Sequence, residues 1–425
     1  MSESPGDDDP SRERFWTRRR LLGALAGGGL GAGGIWYANR RFLDTLPDNV
    51  IAPDEASGKF GNSLAVSDDG TTTIIGDPEK EEAYVFGQAS GEWTQRAKFT
   101  TTDLWAEDIR IEGFGRSVAI SADGTTALVG APGDWGAIDE RGEKVFVFTE
   151  EEGSWSRQAT LTTPPEEHNL HLGESVALSG DGSLAIMSAP TSGPTPETEE
   201  GRVYVWSRAE GEWRLQTKLT AEDGEDRDFF GGAVALSRDG TTAIIGADGD
   251  DNHNGKFAGA AYVFTRTNDA WTQQAKLTST SGTGFNHFGD RVAVSGDGTT
   301  ALVGDSLHDF ELTSCLVFER TETGWDRQVN FQMGGPKRAS DFAVSDAGTR
   351  VVIPGDSATH VFDRTVGELW GRRSKLPPPN GVSNGGFRGT VAVSGDGTTA
   401  IINATQNGEG AVYSVELGDS DAPPQ

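Results

Sequence analysis

The chain has 425 residues, with 36 Lys and Arg against 65 Asp and Glu, which gives a formal net charge of −29. This length is sufficient for one large or two ordinary domains with a full hydrophobic core. Such acidity argues against a nucleic-acid partner and against attachment to an anionic leaflet, because phosphates repel it. The acidic residues are spread along the whole chain, which predicts a halophilic source and a surface that salt screens. A cationic partner for this surface is the alternative.

The N-terminus carries the features of an export signal. Residues 1–16 are polar and charged and are predicted to be disordered. Arg18-Arg19-Arg20 precedes Leu21-Leu22 and an uncharged, Gly- and Ala-rich stretch, which resembles a twin-arginine signal. We therefore predict an apolar helix over 17–38 that is either cleaved or kept as a membrane anchor, with the body of the protein outside the cell. Membrane contact is predicted through this segment alone.

The rest of the chain repeats one unit about seven times. The clearest copy, residues 230–278, contains four runs of strand-forming residues that are separated by turn signals. Asp239-Gly240 predicts a primed hairpin turn, since Gly accepts a positive φ without steric cost. The glycine of this first hairpin recurs at Gly70, Gly124, Gly182, Gly240, Gly298, Gly348 and Gly397.

Seven units of four antiparallel strands predict an all-β fold, a seven-bladed β-propeller over residues 39–417. The seventh unit ends near Leu417 without a fourth strand, so we expect residues 43–51 to supply its outer strand and close the ring. A Trp begins the fourth strand of the other six units and is predicted to pack between blades. The polar tail 418–425 is predicted to be disordered.

The motifs of these units resemble a known family. The Phe-Gly pairs that end at Gly61, Gly115, Gly231 and Gly289, together with Gly130-Ala131-Pro132, are similar to FG-GAP repeats, which build the propeller of integrin α-chain heads and of many microbial surface proteins. The resemblance covers residues 59–417 and implies the seven-bladed fold and a role at the cell surface. The calcium hairpin of the integrin type is absent, so calcium binding at that hairpin is not implied.

Binding residues are predicted on the long loops. The loops between the second and third strands and between units share one face, and they are long and variable, whereas the hairpins of the other face are short. Function is expected on long loops that a rigid scaffold holds. The histidine and tryptophan side chains predicted there as ligand-binding, with metal coordination as one use of the imidazoles, are Trp105, Trp135, His168, His171, His253, His287 and His308.

One of these loops also predicts a calcium site. Asp248, Asp250, Asn252 and Asn254 alternate before Gly255, and such a spacing of oxygen ligands before Gly lets a loop curl around a hard cation. A solvated acidic loop is the alternative interpretation. Asn403-Ala404-Thr405 is an N-glycosylation acceptor that export would make available.

No hydrolase elbow, zinc-protease or phosphate-loop motif occurs in the sequence. The first hypothesis is therefore a non-enzymatic, exported binding or adhesion module that recognises a protein or a glycan through the long-loop face. Two alternatives stay open: an exported hydrolase or lyase with a site in the central channel, and a structural component of the cell envelope.

Overall fold

All 28 regular elements in the described part of the computed structural model are β-strands, and they form seven four-stranded antiparallel sheets. The predicted all-β, seven-bladed propeller is confirmed. Among the described residues, no helix has the length and hydropathy needed to cross a membrane. The structure describes residues 50–53, 56–101, 111–133, 143–164, 171–191, 200–279, 284–307, 311–332, 341–355, 358–364, 369–377, 389–406 and 409–418.

The second strand of each blade is mostly buried and apolar, whereas the innermost strand is apolar and in most blades half-buried. The innermost strands are β2 (Ser63–Val66), β6 (Ser117–Ile120), β10 (Val176–Leu178), β14 (Val234–Leu236), β18 (Val292–Val294), β22 (Ala343–Val344) and β26 (Val391–Val393). The second strands are β3 (Thr72–Asp77), β7 (Thr126–Ala131), β11 (Leu184–Ala189), β15 (Thr242–Ala247), β19 (Thr300–Leu307), β23 (Arg350–Ile353) and β27 (Thr399–Gln406).

In the first five blades the two outer strands are longer than the inner ones and are joined by exposed hairpins. The third strands are β4 (Glu82–Ala89), β8 (Lys144–Glu151), β12 (Arg202–Ala209), β16 (Ala260–Thr267), β20 (Glu311–Thr321), β24 (Thr359–Arg364) and β28 (Glu409–Glu416). The outermost strands are β5 (Glu92–Thr100), β9 (Ser154–Leu161), β13 (Glu212–Leu219), β17 (Ala270–Thr278), β21 (Gly324–Gln332), β25 (Trp370–Leu376) and, for the seventh blade, β1 (Val50–Ile51).

The strand β1 joins the two ends of the ring. Val50 pairs with Tyr413 and Ile51 with Val412, both antiparallel. These two positions lie within the segment 43–51 that was expected to complete the seventh blade. Ile51 and Val412 pack with Phe60 in the core cluster between the last and the first blade. Packing and hydrogen bonds therefore both hold the closure.

The Phe-Gly turn brings neighbouring blades into close contact. In the second blade Phe114 is fully buried, and Gly115, at a φ of +85°, donates its amide to the carbonyl of Gly130. A Cβ on Gly130 would lie 2.3 Å from the carbonyl oxygen of Gly173 in the third blade. Glycine is required there because the next blade's backbone occupies the space of a side chain. The same amide-to-carbonyl bond joins residues 61 and 76, 173 and 188, 231 and 246, and 289 and 304.

The first hairpin of each blade is stabilised by its own side chains. Ser237 Oγ donates to Asp239 at 2.6 Å, and the amide and hydroxyl of Thr241 donate to the same carboxylate at 2.9 and 2.8 Å. Burial alone would raise the pKa of Asp239, but these hydrogen bonds hold it below its ordinary value. Only Gly240 has a positive φ, so the predicted primed turn is wrong: the turn centres on Arg238 and Asp239, and Gly240 follows it in the left-handed region.

These seven hairpins form a closed ring of backbone hydrogen bonds at one end of the channel. In each blade the residue after the hairpin serine takes part in this ring. In the fifth blade that residue accepts a hydrogen bond, and the residue after it donates one. The amide-to-carbonyl bonds run from Asp68 to Ala122, Ala122 to Gly180, Gly180 to Arg238, Arg238 to Gly296, Asp297 to Asp346, Asp346 to Gly395 and Gly395 to Asp68.

Arg238 fills the centre of this ring. Its guanidinium pairs with Asp68 of the first blade and, at 2.5 Å, with Asp346 of the sixth. A Cβ on Gly180 would lie 2.3 Å from Cγ of Arg238, and one on Gly296 would lie 2.5 Å from Asp346. The glycines thus leave room for a three-residue plug, Arg238, Asp68 and Asp346, at the hairpin end of the channel.

The outer strands connect the blades at the rim. Trp271 packs in the cluster between the third and fourth blades, and Trp155 in the one between the first and second, as predicted. A one-residue bulge occurs in six of the outer strands. In the third blade Gln216 is the extra residue, and its amide donates to the carbonyl of Asp269 in the fourth blade at 3.1 Å.

Candidate functional site

On the long-loop face, the connection between β15 and β16 interlocks with the segment that enters the fifth blade. We call residues 248–259 and 284–290 the loop pair. The amides of residues 285, 287 and 288 donate to the carbonyls of residues 256, 257 and 258 at 2.7, 3.1 and 3.1 Å. A Cβ on Gly259 would lie 2.2 Å from the carbonyl oxygen of Phe288. The loop pair is therefore a defined surface with its own backbone pairing, although it lies outside the blades.

The loop pair presents an aromatic patch, which consists of Phe257, Phe285 and His287. The rings of Phe257 and Phe285 are 5.7 Å apart, and the imidazole of His287 stacks on Phe257 at 6.1 Å. Phe285 is 51% exposed, which is unusual for so large an apolar side chain. Such a surface can stack against a sugar ring or an apolar side chain.

A carboxylate and a buried acid lie beneath this patch. Asp248 Oδ2 is 3.2 Å from Nδ1 of His287, and this hydrogen bond, followed by the attraction of the charge, raises the pKa of the imidazole although burial opposes it. Asp290 is buried and accepts a hydrogen bond from Ser306 at 2.6 Å. Burial raises the pKa of Asp290 to about 6. His287, which was predicted to bind a ligand, thus belongs to a cluster of titratable groups with Asp248 and Asp290.

Asp250 of the predicted calcium site is bonded to protein partners. It is buried, and its Oδ2 lies 2.8 Å from the hydroxyl of Tyr262 and 2.7 Å from Nζ of Lys276. Asp223 contacts the same two groups at 2.9 and 2.7 Å. Burial alone would lower the pKa of Lys276, but the two carboxylates raise it. The ammonium group therefore neutralises the charge that a calcium ion would need.

The other predicted calcium ligands point to separate partners. Asn252 Nδ2 donates to Asp250 at 3.0 Å, Asn254 Nδ2 donates to the carbonyl of Ser279 at 2.7 Å, and Asp248 bonds to the imidazole described above. Within the described residues, no group of three or more His, Cys, Asp and Glu side chains is placed to hold a metal. Calcium binding at this loop stays a prediction: Asn252 contacts Asp250, whereas Asn254 and Asp248 bond to residues outside the predicted set.

The remaining predicted site residues divide into three groups. His253 is exposed on the loop pair, whereas His171 is half-buried at the entry to the third blade, 2.8 Å from Thr191 Oγ1. Asn403 is buried in β27, where its amide donates to the carbonyl of Phe60 at 3.0 Å, so its glycosylation stays a prediction that requires modification before folding. Trp105, Trp135, His168 and His308 lie outside the described residues.

Sequence reasoning missed the two phenylalanines of the aromatic patch. Each stands in a polar, Gly-containing loop, as Gly255-Lys256-Phe257 and Gly284-Phe285. An isolated aromatic residue in such a loop was the available signal. In the structure, the positive φ of His287 does not distinguish the patch. His171 and Phe229 also have a positive φ at the equivalent position, two residues before the glycine of the turn.

Comparisons with known proteins agree with this geometry. Residues 93–148, 213–264 and 271–314 match the FG-GAP repeat family. The chain carries FG-GAP repeats. Each matched segment begins at the Trp of an outer strand and ends in the third strand of the next blade, so the FG-GAP sequence unit crosses a blade boundary. The seventh blade likewise combines distant parts of the chain, since β1 pairs with β28.

Many solved structures share the fold of this FG-GAP propeller. The WD40 repeats of RRP9 align with a TM-score of 0.56 at 12% identity, over 86% of this chain and 96% of that one. A structure of U3-55K aligns with a TM-score of 0.55, also at 12% identity, over 86% of this chain and 98% of that one. These likenesses show the fold alone. None of the curated proteins matches the chain.

Proposed function

We propose that this FG-GAP propeller is an exported or membrane-anchored, non-enzymatic binding module that recognises a protein or a glycan through its long-loop face. The observation that carries the proposal is the aromatic patch, which exposes Phe285 on a loop pair held by backbone hydrogen bonds. A preformed apolar surface loses little conformational entropy when a partner binds. The polar residues Asp251, His253 and Lys256 lie exposed beside it.

Binding to isolated cell envelopes of the source organism tests this proposal and separates the two partner classes. Purified protein is titrated onto envelopes that are untreated, digested with protease or oxidised with periodate. Loss of saturable binding after protease alone identifies a protein partner, and loss after periodate alone identifies a glycan. Absence of saturable binding to untreated envelopes would contradict the proposal.

Export rests on the sequence of residues 17–38 and is tested separately. The chain with Arg18→Lys and Arg19→Lys is compared with the native chain by cell fractionation and protease shaving. The proposal expects the native chain outside the cell and the variant inside, because the twin-arginine route requires the paired arginines. Both chains in the cytosol would contradict export and would favour an intracellular interaction scaffold.

A further inference from the structure

The sixth blade contains a fully buried arginine at a position that the other blades fill with an uncharged side chain. Arg350 is the second residue after the hairpin glycine, where five other blades have Thr and the third blade has Leu184. Its side chain has no solvent exposure. An arginine side chain keeps its charge in proteins and is almost never fully buried unless it is paired. The buried position therefore depends on the partners of the guanidinium group.

These partners belong to two blades. Within the sixth blade, Nε and Nη2 of Arg350 bind the two carboxylate oxygens of Asp363 at 2.7 and 2.8 Å. Nη1 donates to the carbonyl of Gly397, in the first hairpin of the seventh blade, at 2.5 Å, and to that of Gly418, which follows β28, at 2.6 Å. Asp363 also accepts a hydrogen bond from Arg373 of β25 at 2.9 Å. We call Arg350, Asp363 and Arg373 the clasp.

The clasp lies where a contact between neighbouring blades is replaced. In the third blade the bulge residue Gln216 donates to the carbonyl of Asp269 in the outer hairpin of the next blade, and Gln158 of the second blade reaches the third in the same way. The seventh blade has no outer hairpin, because its outermost strand is the N-terminal β1. Arg373 is the bulge residue of the sixth blade, and its guanidinium binds Asp363.

We propose that the clasp is a second closure of the ring, which holds the C-terminal end of β28 on the sixth blade. The first closure, the described strand β1, spans two residues, whereas the outermost strands of the other six blades span seven to nine. It pairs with Val412 and Tyr413, in the middle of β28. The clasp binds Gly418, where the outer hairpin of the other blades begins. Opening of the seventh blade at its hairpin end therefore requires breaking a buried, bidentate ion pair.

Hydrogen exchange of the full chain, followed by mass spectrometry, tests the clasp because it measures local opening along the sequence. Arg350→Lys keeps the charge, but a single ammonium group cannot replace the planar fork that binds both oxygens of Asp363 and two carbonyls. The amides of residues 412–417 are expected to exchange at least about tenfold faster, the size of one lost hydrogen bond to a charged group. Strands β10 to β13 of the third blade should exchange as in the native chain. The matched control, Arg214→Lys, makes the same replacement at an exposed arginine of β13 and should change neither region.

Two results would overturn the proposal. One is native exchange of residues 412–417 in folded Arg350→Lys. The other is an equal acceleration in all seven blades, which would mean that the arginine stabilises the fold as a whole and not this junction. Should Arg350→Lys fail to fold, Arg373→Gln replaces it, since glutamine occupies the bulge position of the second and third blades. Faster exchange of residues 412–417 alone would then support the clasp, and native exchange there would overturn it.

Discussion

At the scale of single residues, the buried carboxyl of Asp290 sets a pH dependence. Its pKa is raised by burial to about 6, above the ordinary value of 3.8. A carboxyl whose pKa is higher in the folded than in the unfolded protein contributes stability that is fully present below the unfolded pKa. This contribution is lost as the pH rises through the folded pKa. The native protein therefore carries an unfavourable buried charge above about pH 6, whereas the turn carboxylates such as Asp239, whose pKa is lowered, act in the opposite direction.

Asp290→Asn is expected to change the free energy of unfolding more favourably at pH 8 than at pH 4. The difference between the two changes in unfolding free energy should be on the order of 2–3 kcal/mol, since each unit of pKa corresponds to about 1.4 kcal/mol. Asparagine keeps an acceptor for Ser306. Urea unfolding at both pH values measures it, with the exposed Asp326→Asn as control. Equal effects of Asp290→Asn at the two pH values would contradict this account.

At the scale of structural elements, the glycine of the second strand determines how closely the blades approach. A Cβ on Gly246 would lie 1.9 Å from the carbonyl oxygen of Gly289 in the next blade, whereas one on Gly371 meets nothing within 4 Å. Gly246→Ala is therefore expected to destabilise the fold by about 1–3 kcal/mol through overpacking. Gly371→Ala is the matched control and should be neutral or slightly stabilising.

Equilibrium unfolding in urea measures both variants. The prediction concerns the difference between them, because each replaces one hydrogen by one methyl group. If Gly246→Ala unfolds at the same urea concentration as the native chain, the close approach of the fourth and fifth blades is not what requires glycine.

The structural elements differ in how far the sequence predicts them. The Phe-Gly pairs, the hairpin glycines and the outer-strand Trp residues predict the blades, because each has a local steric or packing cause. The bulge at Gln216 was not predictable. It shifts the alternation of inward and outward side chains by one residue, and the sequence of β13 still reads as one continuous strand. The plug was equally hidden, since Arg238 meets Asp68 and Asp346 only after seven hairpins converge.

The candidate site was predicted in part. The long-loop face follows from loop lengths, and His287 was named as a ligand-binding residue and Asp248 separately as a calcium ligand, whereas the contact between them was not predicted. The aromatic patch was not, because the contact between Phe257 and Phe285 depends on the pairing of two loops from different blades. The calcium prediction took the alternation of Asp250 and Asn252 as a ligand pattern, but the carboxylate is neutralised by Lys276 from an adjacent strand.

At the scale of the whole molecule, the charge of −29 predicts a dependence on salt. Raising NaCl from about 0.1 M to about 1 M shortens the Debye length from about 10 Å to about 3 Å, so repulsion among surface carboxylates is screened. The free energy of unfolding is expected to rise over this range. Thermal and urea unfolding at both concentrations measure it, and a fall in stability would contradict the halophilic interpretation.

Binding of a partner by the long-loop face can be measured on the cell envelope. Saturation binding to isolated envelopes is compared for the native chain, for Phe257→Ser with Phe285→Ser, and for Leu215→Ser, which removes an exposed apolar side chain on β13. We expect the patch variant to lose about tenfold or more in affinity, because such aromatic anchors often contribute at least about 2 kcal/mol. The Leu215→Ser variant should bind like the native chain. Native affinity in a folded patch variant would show that the partner binds elsewhere on the propeller.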